Sequence, residues 1–127
     1  NPCWIVWKKF TTSNLADCEL AYTTFETSVR IFEYPWNGMI QGFHGNKSKN
    51  EVRIHPTQKP VSLYKWTLDN YANPGDIILD THHGSGSLAI ACHDYGYDLV
   101  ACEKVKSYYD GSLKRLEQHM AQTTLAF

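Results

Sequence analysis

The stretch Leu79–Cys92, LDTHHGSGSLAIAC, determines the fold of this chain. It follows Asp76–Leu79, a short apolar run typical of a buried strand, and it leads into a helical pattern that Gly96 closes. Glycine-rich turns between a strand and a helix usually hold a phosphate, because the backbone can approach the ligand closely there. The carboxylate of Asp80 at the start of this turn is therefore the feature that needs an explanation.

The flanking sequence predicts alternating helices and strands. Upstream, His55–Pro60 (HPTQKP) leads into a helix whose apolar residues recur every three or four positions. Downstream, Asp98–Cys102 predicts a second buried strand that ends at Glu103, and a last helix begins near Ser107. This order is half of a doubly wound, three-layer α/β sheet. The strands predicted near the N-terminus, at 4–7, 20–25 and 29–34, are expected to supply the rest of the sheet.

The composition is that of one globular domain. The chain has 127 residues, of which 43% are hydrophobic and 20% are charged, and its net charge is -1. With no global basic field, any contact with nucleic acid must come from a local patch. No apolar run reaches the ~20 residues that a membrane span needs. The four cysteines form no CxxC pair, which predicts free thiols in a reducing compartment, expected to be the cytoplasm, and no metal site.

The glycine turn predicts an adenosine-bearing cofactor. Gly84–Ala89, GSGSLA, satisfies the GxGxxA form of the dinucleotide fingerprint, with a strand before it and a helix after it. Glu103 follows about 20 residues on, where an acid can accept hydrogen bonds from the hydroxyls of a ribose. The alternative is that Glu103 is only a solvated strand end.

Asp80 distinguishes between cofactors. A pyrophosphate in this turn would meet a carboxylate at close range, with a repulsion of several kcal/mol if poorly solvated. S-adenosylmethionine instead carries a sulfonium and an α-ammonium group and no phosphate, so it would be attracted. A nicotinamide dinucleotide is accordingly disfavoured. Asp80 has an alternative or additional role as a helix N-cap.

The residues also resemble a known family. HPTQKPVSLYKWTL at 55–68, followed by the segment 75–119 that contains the glycine turn, resembles the amino-methyltransferases of DNA, in the circular order that places the cofactor motifs toward the C-terminus. The upstream segments CWIVWKKF, ADCELAYTTF and VRIFEYPWNGMIQG look like the middle of adenine-N6 enzymes of that family. The resemblance implies a Rossmann-like methyltransferase fold that uses S-adenosylmethionine. It also implies site-specific methylation of adenine N6 in double-stranded DNA, as in restriction–modification, although N4-cytosine chemistry stays open.

The resemblance also assigns roles to residues. Glu103 would meet the ribose and Lys59 the methionine carboxylate, although Lys59 has the alternative of being a solvent lysine. Where relatives often carry Pro-Phe, this chain has Thr81-His82, and either His82 or His83 is a candidate to replace the phenylalanine beside the adenine. The full set of expected cofactor residues is Thr57, Gln58, Lys59, Asp80, Thr81, His82, Gly84, Ser85, Gly86, Ser87 and Glu103.

The family's catalytic tetrad, Asp/Asn-Pro-Pro-aromatic, is not found. NPCW at Asn1–Trp4 precedes a predicted strand, whereas the tetrad should follow one, so we interpret the match as coincidence. Residues 1–127 therefore resemble a single, partial methyltransferase domain that begins after the catalytic motif. We expect it to be inactive alone, and to form a homodimer or pair with a separate N-terminal piece, because a missing strand leaves open sheet edges. The alternative is a non-catalytic remnant that binds cofactor or DNA.

The segment 35–54 has loop composition and resembles a target-recognition insertion. Its aromatic residues Phe43 and His44 are candidates to stack on or wedge between bases, and its lysines are candidates to contact phosphates. The alternative is an ordinary solvated loop. The expected DNA-binding residues are Arg30, Trp36, Lys47, Lys49 and Arg53.

Overall fold

The computed structural model describes residues 3–12, 14–37 and 39–125. They belong to two compact units that divide between Glu51 and Val52. The N-terminal unit contains strands β1 (Trp4–Lys8), β2 (Cys18–Tyr22), β3 (Arg30–Glu33), β4 (Trp36–Asn37) and β5 (Ile40–Gln41), and a 3-10 turn at Lys47–Lys49. The C-terminal unit contains α1 (Val61–Tyr71), β6 (Ile77–Asp80), α2 (Ser87–Tyr95), β7 (Asp98–Ala101) and α3 (Lys106–Leu125).

The N-terminal unit is built on a three-stranded sheet in the order β2-β1-β3. β1 runs antiparallel to β2 and parallel to β3, so both of its edges are hydrogen-bonded. Alternation along β1 buries Ile5 and Trp7 on one face. The Trp7 indole N–H donates to the Tyr34 carbonyl at 3.0 Å, which fastens the end of β3 to β1.

The segment after β3 is folded more tightly than an open loop. β4 and β5 pair as a short antiparallel hairpin, so the expectation of an irregular loop here is wrong in part. Gln41 is buried, and its side chain both accepts from the Glu51 amide at 2.6 Å and donates to the Glu51 carbonyl at 3.1 Å. Gly42 has φ +68, and a Cβ there would lie 2.8 Å from the Tyr34 hydroxyl. The hairpin therefore requires glycine at position 42.

The C-terminal unit places two helices against a parallel strand pair. β6 and β7 run parallel in the register that sets Ile77 opposite Asp98 and Asp80 opposite Ala101. Leu68 of α1 is 4% exposed and packs with Ala91 and Cys92 of α2 in the core of this unit. The apolar face that the sequence predicts for α1 is thus the face that packs. Among the described residues, no helix is long and apolar enough to cross a membrane.

The expected single sheet is not formed by the described residues. The upstream strands hydrogen-bond with one another, and β6 and β7 form their own two-stranded sheet. Among the described residues, β1, β2 and β3 therefore form no hydrogen-bonded pair with β6 or β7. Ile77 and Leu79 of β6 remain 70% and 66% exposed, which is unusual for a buried-type strand.

Truncation of Leu68 tests whether the α1–α2 contact is the main support of the C-terminal unit. Leu68→Ala removes a buried side chain and leaves a cavity, so we expect a loss of about 2–5 kcal/mol in the free energy of unfolding. Leu113→Ala is the control, because Leu113 is 41% exposed and should cost less than about 1 kcal/mol. Urea denaturation followed by circular dichroism measures both, and equal losses would contradict this assignment of the core.

Candidate functional site

A crevice of about 400 Å³ lies at the carboxyl ends of β6 and β7. Ligands of open α/β sheets bind outside the carboxyl ends of the strands, and this volume lies in the range of small-molecule sites. The segment before α1, the glycine turn, the end of β7 and the start of α3 supply its walls. Eight of the expected cofactor residues line it: Thr57, Gln58, Lys59, His82, Gly84, Ser85, Ser87 and Glu103.

The two glycines of the turn have different tasks. Gly84 and Gly86 both have left-handed backbone, with φ of +55 and +78. A Cβ on Gly84 would meet no atom closer than 3.8 Å, so its conformation alone favours glycine. A Cβ on Gly86 would lie 3.0 Å from Ser112 Cβ and 3.2 Å from His83 Nε2. Gly86 thus lets α3 and the histidine ring approach the turn.

Asp80, Thr81 and Gly86, which were also expected to bind the cofactor, do not line the crevice. Asp80 Oδ1 accepts from the His82 amide at 3.0 Å, and its Oδ2 lies 3.8 Å from His83 Nδ1. The pKa of the Asp80 carboxyl is held below its ordinary value, chiefly by the His83 side chain, although partial burial opposes this. The alternative role of Asp80 as the N-cap of α2 is wrong, because Gly86 occupies that position.

Glu103 fastens the turn to the end of β7. Its Oε1 accepts from the Val105 amide at 2.9 Å, and its Oε2 accepts from the Gly84 amide at 2.8 Å. These two hydrogen bonds, that from Val105 first, lower the pKa of the Glu103 carboxyl. Glu103 is therefore more than a solvated strand end, since it holds the glycine turn against the next strand.

A polar network holds the glycine turn to the segment before α1 and to α3, and it includes a residue absent from our expectations. Ser87 Oγ donates to the Lys59 carbonyl at 2.7 Å, which connects the turn to the segment before α1. Arg115 of α3 donates from Nη1 to Ser87 Oγ at 2.9 Å and to the Ser85 carbonyl at 3.1 Å. Arg115 lies about an entire helix–strand–helix unit away in sequence, so no local motif identifies it.

The segment before α1 is held by its own side chains. Gln58 is buried, its Oε1 accepts from the Ile54 amide at 2.9 Å, and its Nε2 donates to the Val52 carbonyl at 3.2 Å. Thr57 donates its amide N–H to His55 Nδ1 at 3.1 Å. Gln58 thus stabilises the conformation of the segment that places Thr57 and Lys59 at the crevice wall.

Sequence reasoning also missed part of the wall. The rings of His55 and Tyr108 lie 4.2 Å apart between centroids and offer an aromatic surface. His55 begins the HPTQKP motif, so that motif contained a signal for it, whereas Tyr108 was not distinguishable from other residues of α3. The other missed wall residues are Tyr64, His83, Lys104 and Val105, of which the sequence offers His83 only as an alternative.

The expected DNA contacts are distributed over both units. Arg30, Lys47 and Lys49 are exposed in the N-terminal unit, and Arg53 is exposed in the C-terminal unit. Trp36 is 5% exposed, so its ring is buried rather than presented for stacking. Phe43 is 70% exposed and remains a candidate for that task.

Two further expectations concern metals and catalysis. Among the described residues, no group of three or more His, Cys, Asp or Glu side chains is placed to hold a metal ion. Asn1 and Pro2 of the NPCW run lie outside the described residues, so its interpretation as a coincidence stays a prediction.

Comparison with known proteins identifies the family. A family model described as DNA methylase, for N6 and N4 methyltransferases, matches residues 4–114. Because this match spans most of the chain, the chain belongs to the DNA methylase family. The family membership that the motifs implied is thereby confirmed.

Individual relatives match only part of their own length. The chain is 36% identical over 74 residues to the type II methyltransferase M.HpaI of Haemophilus parainfluenzae, which is 58% of this chain and 24% of that protein. It is 39% identical over 71 residues to the DNA adenine methyltransferase YhdJ of Escherichia coli, which is 54% of this chain and 23% of that protein. The chain thus matches about a quarter of the length of these curated relatives.

Solved structures confirm the Rossmann-like methyltransferase fold. The M1.HpyAVI–SAM complex matches 89% of this chain and 60% of its own, with a TM-score of 0.64 and 25% identity. A putative DNA modification methylase of Thermus thermophilus, complexed with S-adenosyl-L-methionine, matches 91% of this chain and 52% of its own. Its TM-score is 0.58 at 16% identity, so this likeness shows the fold alone. The cofactor named for both neighbours is the one expected from the sequence.

Substitution of Gly86 tests the close approach at the turn. Gly86→Ala introduces both left-handed strain and a Cβ within 3.0 Å of Ser112, so we expect it to lower the free energy of unfolding by about 2–4 kcal/mol. Gly96→Ala is the matched control, because Gly96 has φ +76 but no atom within 4 Å, and only the strain of about 1 kcal/mol remains. Equal losses in thermal or urea unfolding would show that the turn is not tightly packed.

The hydrogen bonds of Glu103 predict a pH dependence. Because the folded-state pKa of Glu103 is lowered, its contribution is complete above the ordinary carboxyl value and is lost as the pH falls through the folded value. The amides of Gly84 and Val105 should therefore lose protection from hydrogen exchange only when the pH falls below the ordinary carboxyl value. Glu103→Gln should reduce their protection already at neutral pH, and unchanged protection in the variant would contradict the role of the carboxylate.

Proposed function

We propose that this chain is the cofactor-binding portion of an S-adenosylmethionine-dependent DNA adenine-N6 methyltransferase. The observation that supports it most is the crevice at the carboxyl ends of β6 and β7, which brings eight of the expected cofactor residues together. The adenine-N6 assignment rests on the upstream sequence resemblance and on the name of the relative YhdJ.

The crevice suits a cofactor that carries both adenosine and positive charge. Glu103 presents a carboxylate beside the turn, and the pKa of the Asp80 carboxyl is lowered, so both groups stay ionised at neutral pH. Lys59 lines the same crevice and carries the charge that a carboxylate of a ligand requires. The bound cofactor would supply an electrophilic methyl group, and the residues of this chain would bind and orient it.

In this proposal each wall of the crevice has a different role. Glu103 accepts hydrogen bonds from the ribose hydroxyls, Lys59 pairs with the methionine carboxylate, and His82 lies beside the adenine. Ser87 and Arg115 keep the turn in register with the segment before α1, through the hydrogen bonds at 2.7 and 2.9 Å. These contacts explain why HPTQKP and the glycine turn occur together in one sequence.

Transfer to a base requires residues that we do not find. An extrahelical adenine needs acceptors for its amino group and an aromatic partner for its ring. The sequence contains no Asp/Asn-Pro-Pro-aromatic run, and among the described residues β6 pairs with β7 alone, which leaves its other edge open. We therefore infer that the methyl transfer needs an additional segment or subunit, and that this chain associates through its open strand edges.

Titration calorimetry with S-adenosylmethionine tests the cofactor assignment. We expect binding to the 127-residue chain, and an affinity about tenfold lower for Asp80→Asn, or ~1.4 kcal/mol, since the variant removes the partly buried negative charge. Asp98→Asn is the matched control, because Asp98 is exposed at the amino end of β7, away from the crevice, and should bind normally. Binding of a nicotinamide dinucleotide in place of S-adenosylmethionine would contradict the proposal.

Two further measurements test the partial character of the chain. Transfer of labelled methyl groups to adenine-containing duplex DNA is expected to be undetectable for the purified chain, and efficient transfer would contradict the inference of a missing segment. Light scattering is expected to show association at high concentration, and a monodisperse monomer would contradict association through open edges.

A further inference from the structure

His83 lies beside the Asp80 carboxylate. It lines the crevice, whereas Asp80 does not. Its side chain is 9% exposed, and its Nδ1 is buried with no hydrogen-bond partner in the described structure. The group that Nδ1 faces is Asp80 Oδ2, at 3.8 Å. Burial of a polar nitrogen without a hydrogen bond costs free energy, so this arrangement needs an explanation.

The backbone and the packing fix the position of the ring. The His83 amide donates to the Cys102 carbonyl at 3.0 Å, and the His83 carbonyl accepts from the Gly86 amide at 3.0 Å. The ring lies against Gly86, where a Cβ would come within 3.2 Å of Nε2. The imidazole therefore packs against the glycine turn while its Nδ1 lies near Asp80.

We propose that His83 is a positioning residue that controls how much of the Asp80 charge reaches the cofactor. When the imidazole is neutral, the carboxylate attracts the cationic part of the ligand across the ring. When the imidazole gains a proton from solvent, it pairs with Asp80 at 3.8 Å and cancels that charge. Acid therefore weakens cofactor binding, and cofactor binding at acid pH releases a proton. This inference rests on the proposed cofactor.

Other charged groups near His83 do not produce the same effect. Glu103 and Asp80 stay ionised through the range in which histidine titrates, because the pKa of each is lowered. Burial raises the pKa of the Cys92 thiol, which keeps it neutral in that range. The remaining charged or titratable groups around the turn are Lys59, Lys104, Arg115, Cys102 and Tyr108, and the histidines His55 and His82, so the experiment must separate the histidines.

Calorimetry with S-adenosylhomocysteine at about pH 8 and about pH 5.5 tests the proposal, since histidine changes charge between these values. We expect the affinity of the unsubstituted chain to fall about tenfold toward the lower pH. His83→Asn keeps an amide donor near the position of Nδ1 and carries no titratable proton, so its affinity should change less than about twofold. His93→Asn is the matched control, because His93 is exposed on α2 outside the crevice, and it should retain the full fall.

Two results would overturn the proposal while leaving the proposed function intact. One is a full tenfold fall in the affinity of His83→Asn toward the lower pH. If the fall instead disappears in His82→Asn, the effect belongs to His82. The other is an equal fall for adenosine, which has no ammonium group for Asp80 to attract. Either result would show that the pH dependence does not pass from Asp80 through His83.

A readout without ligand distinguishes failure of this inference from failure of the proposed function. If S-adenosylhomocysteine does not bind at any pH, the proposed function is contradicted. Carbon-13 NMR of the Asp80 carboxyl needs no ligand, so it then still tests the interaction between Asp80 and His83. In His83→Leu the pKa of Asp80 should rise toward its ordinary value, because the main group that lowers it is gone. An unchanged Asp80 titration in a folded variant would overturn the pairing.

Discussion

The account depends on the hydrogen bonds that Glu103 accepts from the amides of Gly84 and Val105, at 2.8 and 2.9 Å. They fasten a left-handed glycine turn to the end of the neighbouring strand, so that one carboxylate bridges β6 and β7. Glycine gives the backbone of this turn more conformational freedom than other residues would, and these hydrogen bonds restrict it. The same carboxylate is the group proposed to meet the ribose. The cofactor would therefore bind to the side chain that also holds the turn in place.

The predictable parts of the fold were those with a local cause. Apolar spacing identified α1, positive φ at Gly96 matches the end of α2, and the Gly84–Gly86 turn lies where the fingerprint places it. The pairing of strands was not predictable in this way, because β1 satisfies both of its edges with β2 and β3. Nothing in the local sequence of β6 records which strand should lie beside it.

The residues of the candidate site likewise divide into those that local motifs predict and those whose position depends on tertiary packing. Thr57, Lys59 and Ser87 belong to two motifs, and the sequence was sufficient to expect that they meet. Arg115 was missed because its contacts to the turn depend on the packing of α3, which no motif encodes. The position of Asp80 was also inaccessible to sequence reasoning, since only the structure shows that His83 lies beside this carboxylate and lines the crevice, whereas Asp80 does not. The departure from the Pro-Phe of relatives, at Thr81-His82, lies between these two residues in the sequence.

The central claim is that this crevice holds an adenosine-bearing, positively charged cofactor. A crystal structure of the chain soaked with S-adenosylhomocysteine tests it most directly. The account predicts ligand density in the crevice, with both ribose hydroxyls within hydrogen-bonding distance of Glu103 and the methionine carboxylate near Lys59. Ligand density elsewhere, or a crevice filled by the protein's own side chains, would contradict the account.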